Sequence, residues 1–471
     1  MHALNEPFEI PGDWFLPENP ERIIAGKLNY DGSGRTDLTL NDSFQPLWQG
    51  DIKGNVSHRY SCIHGVMNNG HAATLLDALQ SGTTLASASA GLRLSEKITS
   101  HALIIGRHVM PETKYESFHA LIPGLEIWMA RPSVVTESED KSSKYTFKIA
   151  DFPNEEMCIQ NASGKLVWYL GSEVQQNQFQ SLNVKISAGI CFQPDQPQPL
   201  IWLYTHLAKV TSLLTLLSGT PMFASHLSAG DKAGDPRSQV DLLQGFQFKD
   251  HCTFTNPSQF FMPRDKMATD FSEVVIKWFD LYEKIKSPIN LAISIFISKG
   301  LWTHVEFLSL MQALEGFHRA LFSGTYMPDA EYKRHQTELE KAIPKEFKPD
   351  HRNSMKARLR YGNEISLAKR LNDLSELLSI RAREILFGKD GDIPRVWIDT
   401  RNYYTHWGDE LRSKILDDRD LYFANARLRS FLRVLYLAQT GIPSSAIEAV
   451  LYGFSHEAQF LIQILNQEKT G

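Results

Sequence analysis

The spacing of apolar residues changes near residue 262 and divides the chain into halves of different predicted structure. Before that point, short runs rich in β-branched and aromatic residues are separated by turn residues, a pattern that is typical of strands. These runs are residues 22–28, 36–40, 60–66, 101–109, 145–149, 166–170 and 184–192. The sequence Asp31-Gly32-Ser33-Gly34 predicts a turn between the first two runs. This half is therefore predicted to be mostly sheet.

Two later segments of this half complete the prediction. Residues 200–217 form one long apolar run and predict a single helix. Residues 240–248 and 252–255 predict a return to strand.

After Pro263 the apolar residues recur at helical spacing. In each of four segments the apolar residues would lie on one face of a helix, and we call each set a stripe. The stripes are Phe271, Val274, Val275, Trp278, Leu281; Phe307, Leu310, Met311, Leu314, Leu321; Ile365, Ala368, Leu371, Leu374, Leu378; and Leu421, Leu428, Leu432, Leu435. One further helix over residues 447–465 is predicted after Pro443. We therefore expect an α+β protein, with a β-rich domain at 1–262 and a helical bundle at 266–471.

Composition limits the classes of protein that fit. With 471 residues, 42% of them hydrophobic, the chain is long enough to fill the cores of two or three domains. The formal net charge of -5 excludes a generic polyanion binder, so any contact with nucleic acid has to be local.

The ends and the cysteines predict where the protein works. Residues 1–14 carry acidic residues where an export signal needs a basic end and an apolar run. The 200–217 helix contains His206 and Lys209, which indicates a buried helix and no membrane partner. The four cysteines show no CxxC spacing and indicate a reducing compartment. We predict a cytoplasmic protein.

Residues 401–406, Arg-Asn-Tyr-Tyr-Thr-His, carry the candidate chemistry. They place a permanent cation, an amide and an imidazole on a predicted helix that begins near Asp392-Ile393-Pro394 and ends at Trp407-Gly408. At about 100° per residue, Asn402 and His406 share a face, whereas Arg401 lies about 140° from His406. The negative end of the helix dipole favours a protonated imidazole at His406. These groups are suited to binding and cleaving a phosphodiester.

The Arg-x4-His spacing is weak evidence when taken alone. Arg59 and His64 repeat it, and about one accidental match is expected in a chain of this composition. Arg59 and His64 lie in a predicted strand, where residues five apart point to opposite faces. We therefore expect that they cannot converge on one phosphate.

The same residues support a resemblance to a known family. The helical half, with Arg401-Asn402-x3-His406 late in the bundle and Gln312-Ala313-Leu314-Glu315-Gly316 earlier, resembles a HEPN domain of the ApeA-like type. The opening, residues 11–16 followed by 24–28, resembles the β-rich domain that precedes it in ApeA-like anti-phage proteins. Together the two resemblances cover nearly the whole chain.

The resemblance implies a metal-independent endoribonuclease of bacterial antiviral defence. It implies that two subunits pair through the HEPN bundle and form one composite cleft. Arg401 would bind the scissile phosphate, His406 would act as acid or base or would orient the 2′-hydroxyl, and Asn402 would hold them in place. Glu315 would border the site, although an ordinary salt-bridged glutamate is the alternative. The partners implied are RNA, with tRNA as one candidate, and an unknown phage-derived trigger.

The sequence argues against several other kinds of site. HEPN toxins that are silenced by nucleotidylation carry a tyrosine two residues after the histidine, where this chain has Gly408. No phosphate loop, zinc-protease helix or dinucleotide-binding pattern is present, so the sequence predicts no cofactor and no metal. Tyr403, Tyr404 and Trp407 fit base stacking, but also core or dimer contacts.

Two further interpretations remain open at this point. Arg427, Arg429 and Arg433 with Lys414 fit either a phosphate-binding patch or a solvated face. For the whole chain, the alternative to a ribonuclease is a non-catalytic dimeric protein that recognises a phage component.

Overall fold

The computed structural model describes residues 3–45, 57–88, 91–129, 134–138, 145–149, 153–177, 181–231, 238–244, 254–453 and 455–470. The chain forms two compact units. Unit 1 comprises residues 1–211 and 221–257, and unit 2 comprises residues 212–220 and 258–471.

Unit 1 is built mainly from strands. In chain order they are β1 (Phe8–Leu16), β2 (Asn19–Tyr30), β3 (Thr36–Leu40), β4 (Arg59–Met67), β5 (Ala72–Ala88), β6 (Gly91–Ser100), β7 (Ala102–Gly106), β8 (Ser117–Leu121), β9 (Val134–Ser138), β10 (Tyr145–Ile149), β11 (Glu155–Ile159), β12 (Gly164–Asn177), β13 (Ser181–Pro194), β14 (His226–Gly230) and β15 (Gln239–Gln244). A short helix, α1 (Leu125–Trp128), and the long helix α2 (Leu200–Ser218) accompany them. The last turns of α2 belong to unit 2.

Six of these strands close into a barrel. The order β5-β4-β1-β2-β3-β6 is antiparallel throughout, and β6 pairs again with β5. Alternating inward side chains such as Trp14, Leu28 and Leu38 fill the interior. At one end, the fully buried carboxylate of Glu96 accepts hydrogen bonds from Tyr60 Oη at 2.7 Å and Phe44 N at 2.9 Å. Closure satisfies the strand edges within the barrel.

The remaining strands of the large sheet continue outward from β5 in the order β7-β15-β14-β8-β13-β12-β11, while β9 and β10 form a separate pair. The first part of α2 packs on this extension, where Trp202 stacks on Phe118 of β8 and donates to Ala162 O at 3.2 Å. Helix α2 is apolar and long enough to cross a membrane by length and composition, but 67% of that stretch is buried inside the structure.

Unit 2 is helical. Its helices are α3 (Phe271–Lys284), α4 (Lys286–Ile297), α5 (Thr303–Leu321), α6 (Asp329–Ala342), α7 (Pro349–Arg360), α8 (Leu367–Ser375), α9 (Ile380–Phe387), α10 (Arg395–His406), α11 (Asp418–Gln439), α12 (Ser444–Leu451) and α13 (His456–Thr470). Asp270, Ser366, Ser379 and Asp417 cap the first turns of α3, α8, α9 and α11 with side-chain oxygens.

The core of unit 2 lies around α5 and α11, which pack against each other. Phe317 of α5 makes an edge-to-face contact with Tyr436 of α11 at 5.1 Å, and Phe387 of α9 does the same with Phe431 at 4.8 Å. Helices α4, α8 and α10 cover other sides of α5. This arrangement brings α10 alongside α5.

The α+β prediction, with sheet before helices, is confirmed. The predicted strands 36–40 and 145–149 match β3 and β10 to the residue, and the predicted turn is present, with Asp31 Oδ1 accepting from Ser33 N at 2.6 Å. Part of the predicted returning strands, residues 245–253, lies outside the described residues.

The predicted single helix over 447–465 is wrong. The chain ends α12 at Leu451, turns through Gly453 and starts α13 at His456, with Ser455 Oγ accepting from Ala458 N. Glycine is a poor helix former and serine is a good cap, so the two residues break one apolar stripe into two helices.

Candidate active site

Helix α10 carries the Arg-x4-His sequence and ends with it. It begins after Pro394, at the predicted place, and has no side-chain cap. Trp397, Ile398 and Thr400 are buried and fix the helix against the bundle. At the other end, Trp407 is left-handed and its N–H donates to Tyr403 O, which terminates the helix at the predicted place.

Arg401 is half-buried and points toward α5. Its Nη2 lies 3.6 Å from Glu315 Oε2, and its Nη1 donates to Asn402 Oδ1 at 3.3 Å. Its side chain keeps 29% of its surface exposed. Arg401, Asn402 and Glu315 are therefore brought together, with part of the guanidinium open to an incoming anion.

His406 lies at the exposed end of the same helix. Within the described chain it makes no hydrogen bond, ion pair or ring contact, and it does not meet Arg401. The helical angle of about 140° between them accounts for this separation. The ion pair with Glu315 also orients the Arg401 side chain toward α5.

A chain of charged groups extends from Glu315 away from His406. Glu315 Oε1 accepts from Arg319 Nε at 3.1 Å, and Arg319 Nη1 pairs with Glu364 Oε2 at 2.7 Å. Glu364 also lies 3.7 Å from the buried Arg370. The arginine that faces the candidate site is thus held within an alternating network of charges.

The network ends at a fully buried histidine. Arg370 Nη1 donates to His318 Nδ1 at 3.1 Å, so the ring proton is on Nε2, which contacts Asp373 Oδ2 at 3.3 Å. Burial lowers the pKa of His318, although the hydrogen bond to Asp373 acts in the opposite direction. The neutral ring therefore positions Arg370 without adding charge.

Five aromatic side chains surround the end of α10, and we call them the aromatic cluster: Trp302, His304, Tyr403, Tyr404 and Trp407. His304 stacks on Tyr404 at 5.5 Å, and Trp407 contacts Tyr404 edge-on and Tyr403 in a tilted arrangement. The two tryptophans remain 77% and 66% exposed. The sequence indicated Tyr403, Tyr404 and Trp407 as residues that fit base stacking. Trp302 and His304 were missed because they lie about 100 positions away on α5 and the residue before it.

Trp407 occupies a strained position, because its φ of 54° is disfavoured for any residue with a Cβ. We expect Trp407→Gly to have a free energy of unfolding about 1 kcal/mol higher than Trp407→Ala, since both remove the ring and only alanine keeps the strain. Denaturant unfolding followed by the helical circular dichroism signal measures the difference.

Lys277, exposed in the middle of α3, provides the matched control. There the order should reverse, with Lys277→Ala more stable than Lys277→Gly by about 1 kcal/mol. An alanine variant at position 407 that equals or exceeds the glycine variant would contradict the strain argument.

Of the four cations considered for a phosphate-binding patch, Lys414 is exposed, whereas Arg427, Arg429 and Arg433 of α11 are engaged within the bundle. Arg427 and Arg433 are buried, Arg429 pairs with Glu306, and Arg433 pairs with Glu457. They are structural cations of the bundle core, not a solvated face. Among the described residues, no three His, Cys, Asp or Glu side chains are grouped so that they could hold a metal ion.

The second Arg-x4-His sequence is not a site. Arg59 is exposed on β4 and forms a bidentate pair with Asp77 at 2.7 Å, whereas His64 is buried and its Nε2 contacts Val109 O at 3.0 Å. The expectation that these two residues cannot converge is confirmed.

Two models of known protein families match this chain. A helical bundle with Arg-x4-His at the end of a late helix belongs to the HEPN class, and a family model described as Apea-like HEPN matches residues 308–446. A second model, described as ApeA N-terminal domain 1, matches residues 9–278, more than half of the chain. The chain belongs to the ApeA family, as the sequence resemblance predicted. This membership indicates a nuclease role in anti-phage defence. Comparisons with curated proteins and with solved structures gave no match.

Proposed function

We propose that this protein is a metal-independent endoribonuclease in which Arg401 and His406 perform the cleavage. The observation that carries the proposal is the placement of Arg401. Its guanidinium is oriented by Glu315 and Asn402, is partly open to solvent, and lies on the helix that ends in an exposed histidine.

The proposed chemistry uses the RNA's own 2′-hydroxyl. This oxygen loses its proton to a base and bonds to the adjacent phosphorus, while the P–O5′ bond breaks and the leaving oxygen takes up a proton. His406 is the proton carrier, and Arg401 stabilises the charge that develops on the phosphorane oxygens. Asn402 and Glu315 position Arg401. The products are a 2′,3′-cyclic phosphate and a 5′-hydroxyl.

The proposed site is shared between two copies of the chain. Arg401 and His406 point about 140° apart around one helix, so a single helix does not present both to one phosphate. Pairing of two bundles through α10 would place Arg401 of one copy near His406 of the other. The proposal therefore includes a homodimer formed through the HEPN bundle.

The biological setting follows from the family. We propose that the enzyme acts in the cytoplasm during phage infection, with a phage-derived trigger, and that it damages RNA, with tRNA as one candidate substrate. Unit 1 would sense the trigger or restrain the HEPN pair.

The test is to incubate the purified protein with RNA in EDTA and to determine the chemistry of the new ends. We expect cleavage to continue in the chelator and to leave 2′,3′-cyclic phosphates, because the nucleophile belongs to the substrate. A matched DNA oligonucleotide should remain intact because it lacks the 2′-hydroxyl. His406→Ala is the control for a contaminating nuclease.

Either of two results would refute the proposal. Loss of cleavage in EDTA with recovery on adding Mg²⁺ would indicate a metal-dependent mechanism. Equal cleavage by wild type and His406→Ala, or by neither, would favour the alternative of a non-catalytic dimeric protein that binds a phage component.

A further inference from the structure

Helices α6 and α7 form an arm in which neither helix has a buried residue, and Ile343, between the two helices, is its one buried side chain. We define the arm as residues 329–360. Its two ends meet at a bridge between Thr325 and Glu364, where Tyr326 N donates to Asn363 O and Ile365 N donates to Gly324 O, both at 2.9 Å. The chain thus leaves the bundle after α5 and returns to the same place before α8.

The net charge of the arm is positive, whereas that of the whole chain is negative. The arm carries nine Lys and Arg against six Asp and Glu, whereas the whole chain carries a net charge of -5. The cations are concentrated in residues 345–360, which contain six Lys and Arg and only two acidic residues. We call this stretch the basic segment.

The cations of the basic segment lack acidic partners in the part of the chain that the structure describes. Within the described residues, none of Lys345, Lys348, Arg352, Lys356, Arg358 and Arg360 forms an ion pair within 4.0 Å. Arg352 Nε is even buried without a hydrogen-bond partner. In the neighbouring network, by contrast, Arg319, Arg370 and Arg401 all face carboxylates.

The spacing of the cations on α7 also destabilises the helix. Arg352, Lys356 and Arg360 follow one another at i, i+4 spacing, where like charges repel. With no buried face to compensate, such a helix is stabilised by a polyanion that lies along it. This feature indicates a ligand.

Ion pairs link the base of the arm, where residues 324–326 and 363–365 meet, to the candidate active site. Glu364, four residues after the arm, pairs with Arg319. Arg319 also pairs with Glu315, which in turn pairs with Arg401. Two exposed rings, Tyr326 and Tyr361, flank the base. Cations combined with exposed rings are typical of surfaces that bind single-stranded nucleic acid, where phosphates meet the cations and bases stack on the rings.

We propose that the arm binds the phosphate backbone of single-stranded RNA and guides the strand to Arg401. The proposal rests on the ribonuclease function and identifies where its substrate docks. Binding would be largely independent of sequence, because contacts to phosphates carry no base information.

The test uses the full chain with His406→Ala, so that the RNA stays intact, and a fluorescently labelled single-stranded RNA of mixed sequence. The arm variant adds Lys345→Gln, Lys348→Gln, Arg358→Gln and Arg360→Gln, all at exposed positions. The matched control adds Lys284→Gln, Lys286→Gln, Arg381→Gln and Lys389→Gln, exposed cations of unit 2 outside the arm. Both remove four charges, and thermal melting verifies folding.

We expect the arm variant to bind the RNA at least about tenfold more weakly and to reduce the slope of log affinity against log salt by about 1 to 3, since each phosphate contact to a single strand contributes about 0.7. The control should retain the affinity and slope of the parent. Equal behaviour of the two variants, whether both weakened or both unchanged, would overturn the proposal.

Failure of the arm proposal can be distinguished from failure of the ribonuclease proposal. If wild type cleaves RNA while the arm variant binds like its parent, only the docking surface is wrong. If the arm variant alone loses binding while wild type leaves RNA uncut, the arm is supported and the catalytic function is refuted.

Discussion

Replacing Arg401 or His406 with alanine is expected to lower the rate of RNA cleavage by at least about 100-fold without loss of folding. Removing a positioned proton carrier typically costs about 10²- to 10⁴-fold in rate, and removing a group that stabilises transition-state charge costs about 10²- to 10³-fold. Both side chains are partly or fully exposed, so neither change leaves a cavity in the core. Single-turnover cleavage assays measure the loss.

Arg59→Ala is the matched control, because Arg59 belongs to the accidental Arg-x4-His sequence on β4. It removes an exposed ion pair of little consequence for stability and should leave cleavage unchanged. Mixed dimers of Arg401→Ala with His406→Ala then test the shared site. If the two groups act across the dimer, mixing restores part of the activity that each variant lacks. No recovery in verified mixed dimers would refute the shared arrangement.

Replacing Glu457 with leucine is expected to lower the free energy of unfolding of unit 2 by about 3–5 kcal/mol, because it leaves a buried cation without its partner. Arg433 is buried, pairs with Glu457 and lies between the rings of Phe261 and Phe296 at 5.0 Å from each. Burial and then the nearby Arg429 lower the pKa of Arg433, as expected for a cation that is costly to bury. Denaturant unfolding followed by the helical signal measures the loss.

The double variant Arg433→Met with Glu457→Leu separates the cost of an orphaned charge from the value of the pair. Replacing both ions with apolar side chains of similar size is commonly neutral or stabilising, so most of the lost stability should return. A double variant as unstable as Glu457→Leu alone would show that the ion pair itself, or the hydrogen bond from Ser430 to Glu457, supplies the stability.

Local patterns predicted the elements of this fold better than their arrangement. The β3 strand and the α3 stripe followed from alternation and helical spacing, since each signal lies within one short segment. Closure of the barrel depends on β6 pairing with both β3 and β5. The residues within one strand do not indicate which other strand it pairs with. The break between α12 and α13 could have been found, because Gly453 and Ser455 stand in the middle of the stripe.

The candidate site shows the same limit. Spacing and a helical setting identified Arg401, Asn402 and His406, and the resemblance indicated Glu315, which the structure places beside Arg401. The contacts from Glu364 to Arg319 and from Arg370 to His318 join residues about 50 positions apart, and one sequence does not reveal such pairs.

The two-ended attachment of the arm at Thr325 and Glu364 has an evolutionary consequence. Because the departing and returning strands meet at one point, the intervening helices can lengthen, shrink or be exchanged while the bundle keeps its core. Mutations there alter little of the energy that folds the domain. Substitutions in the arm could therefore change how tightly RNA is bound without changing the residues proposed to cleave it.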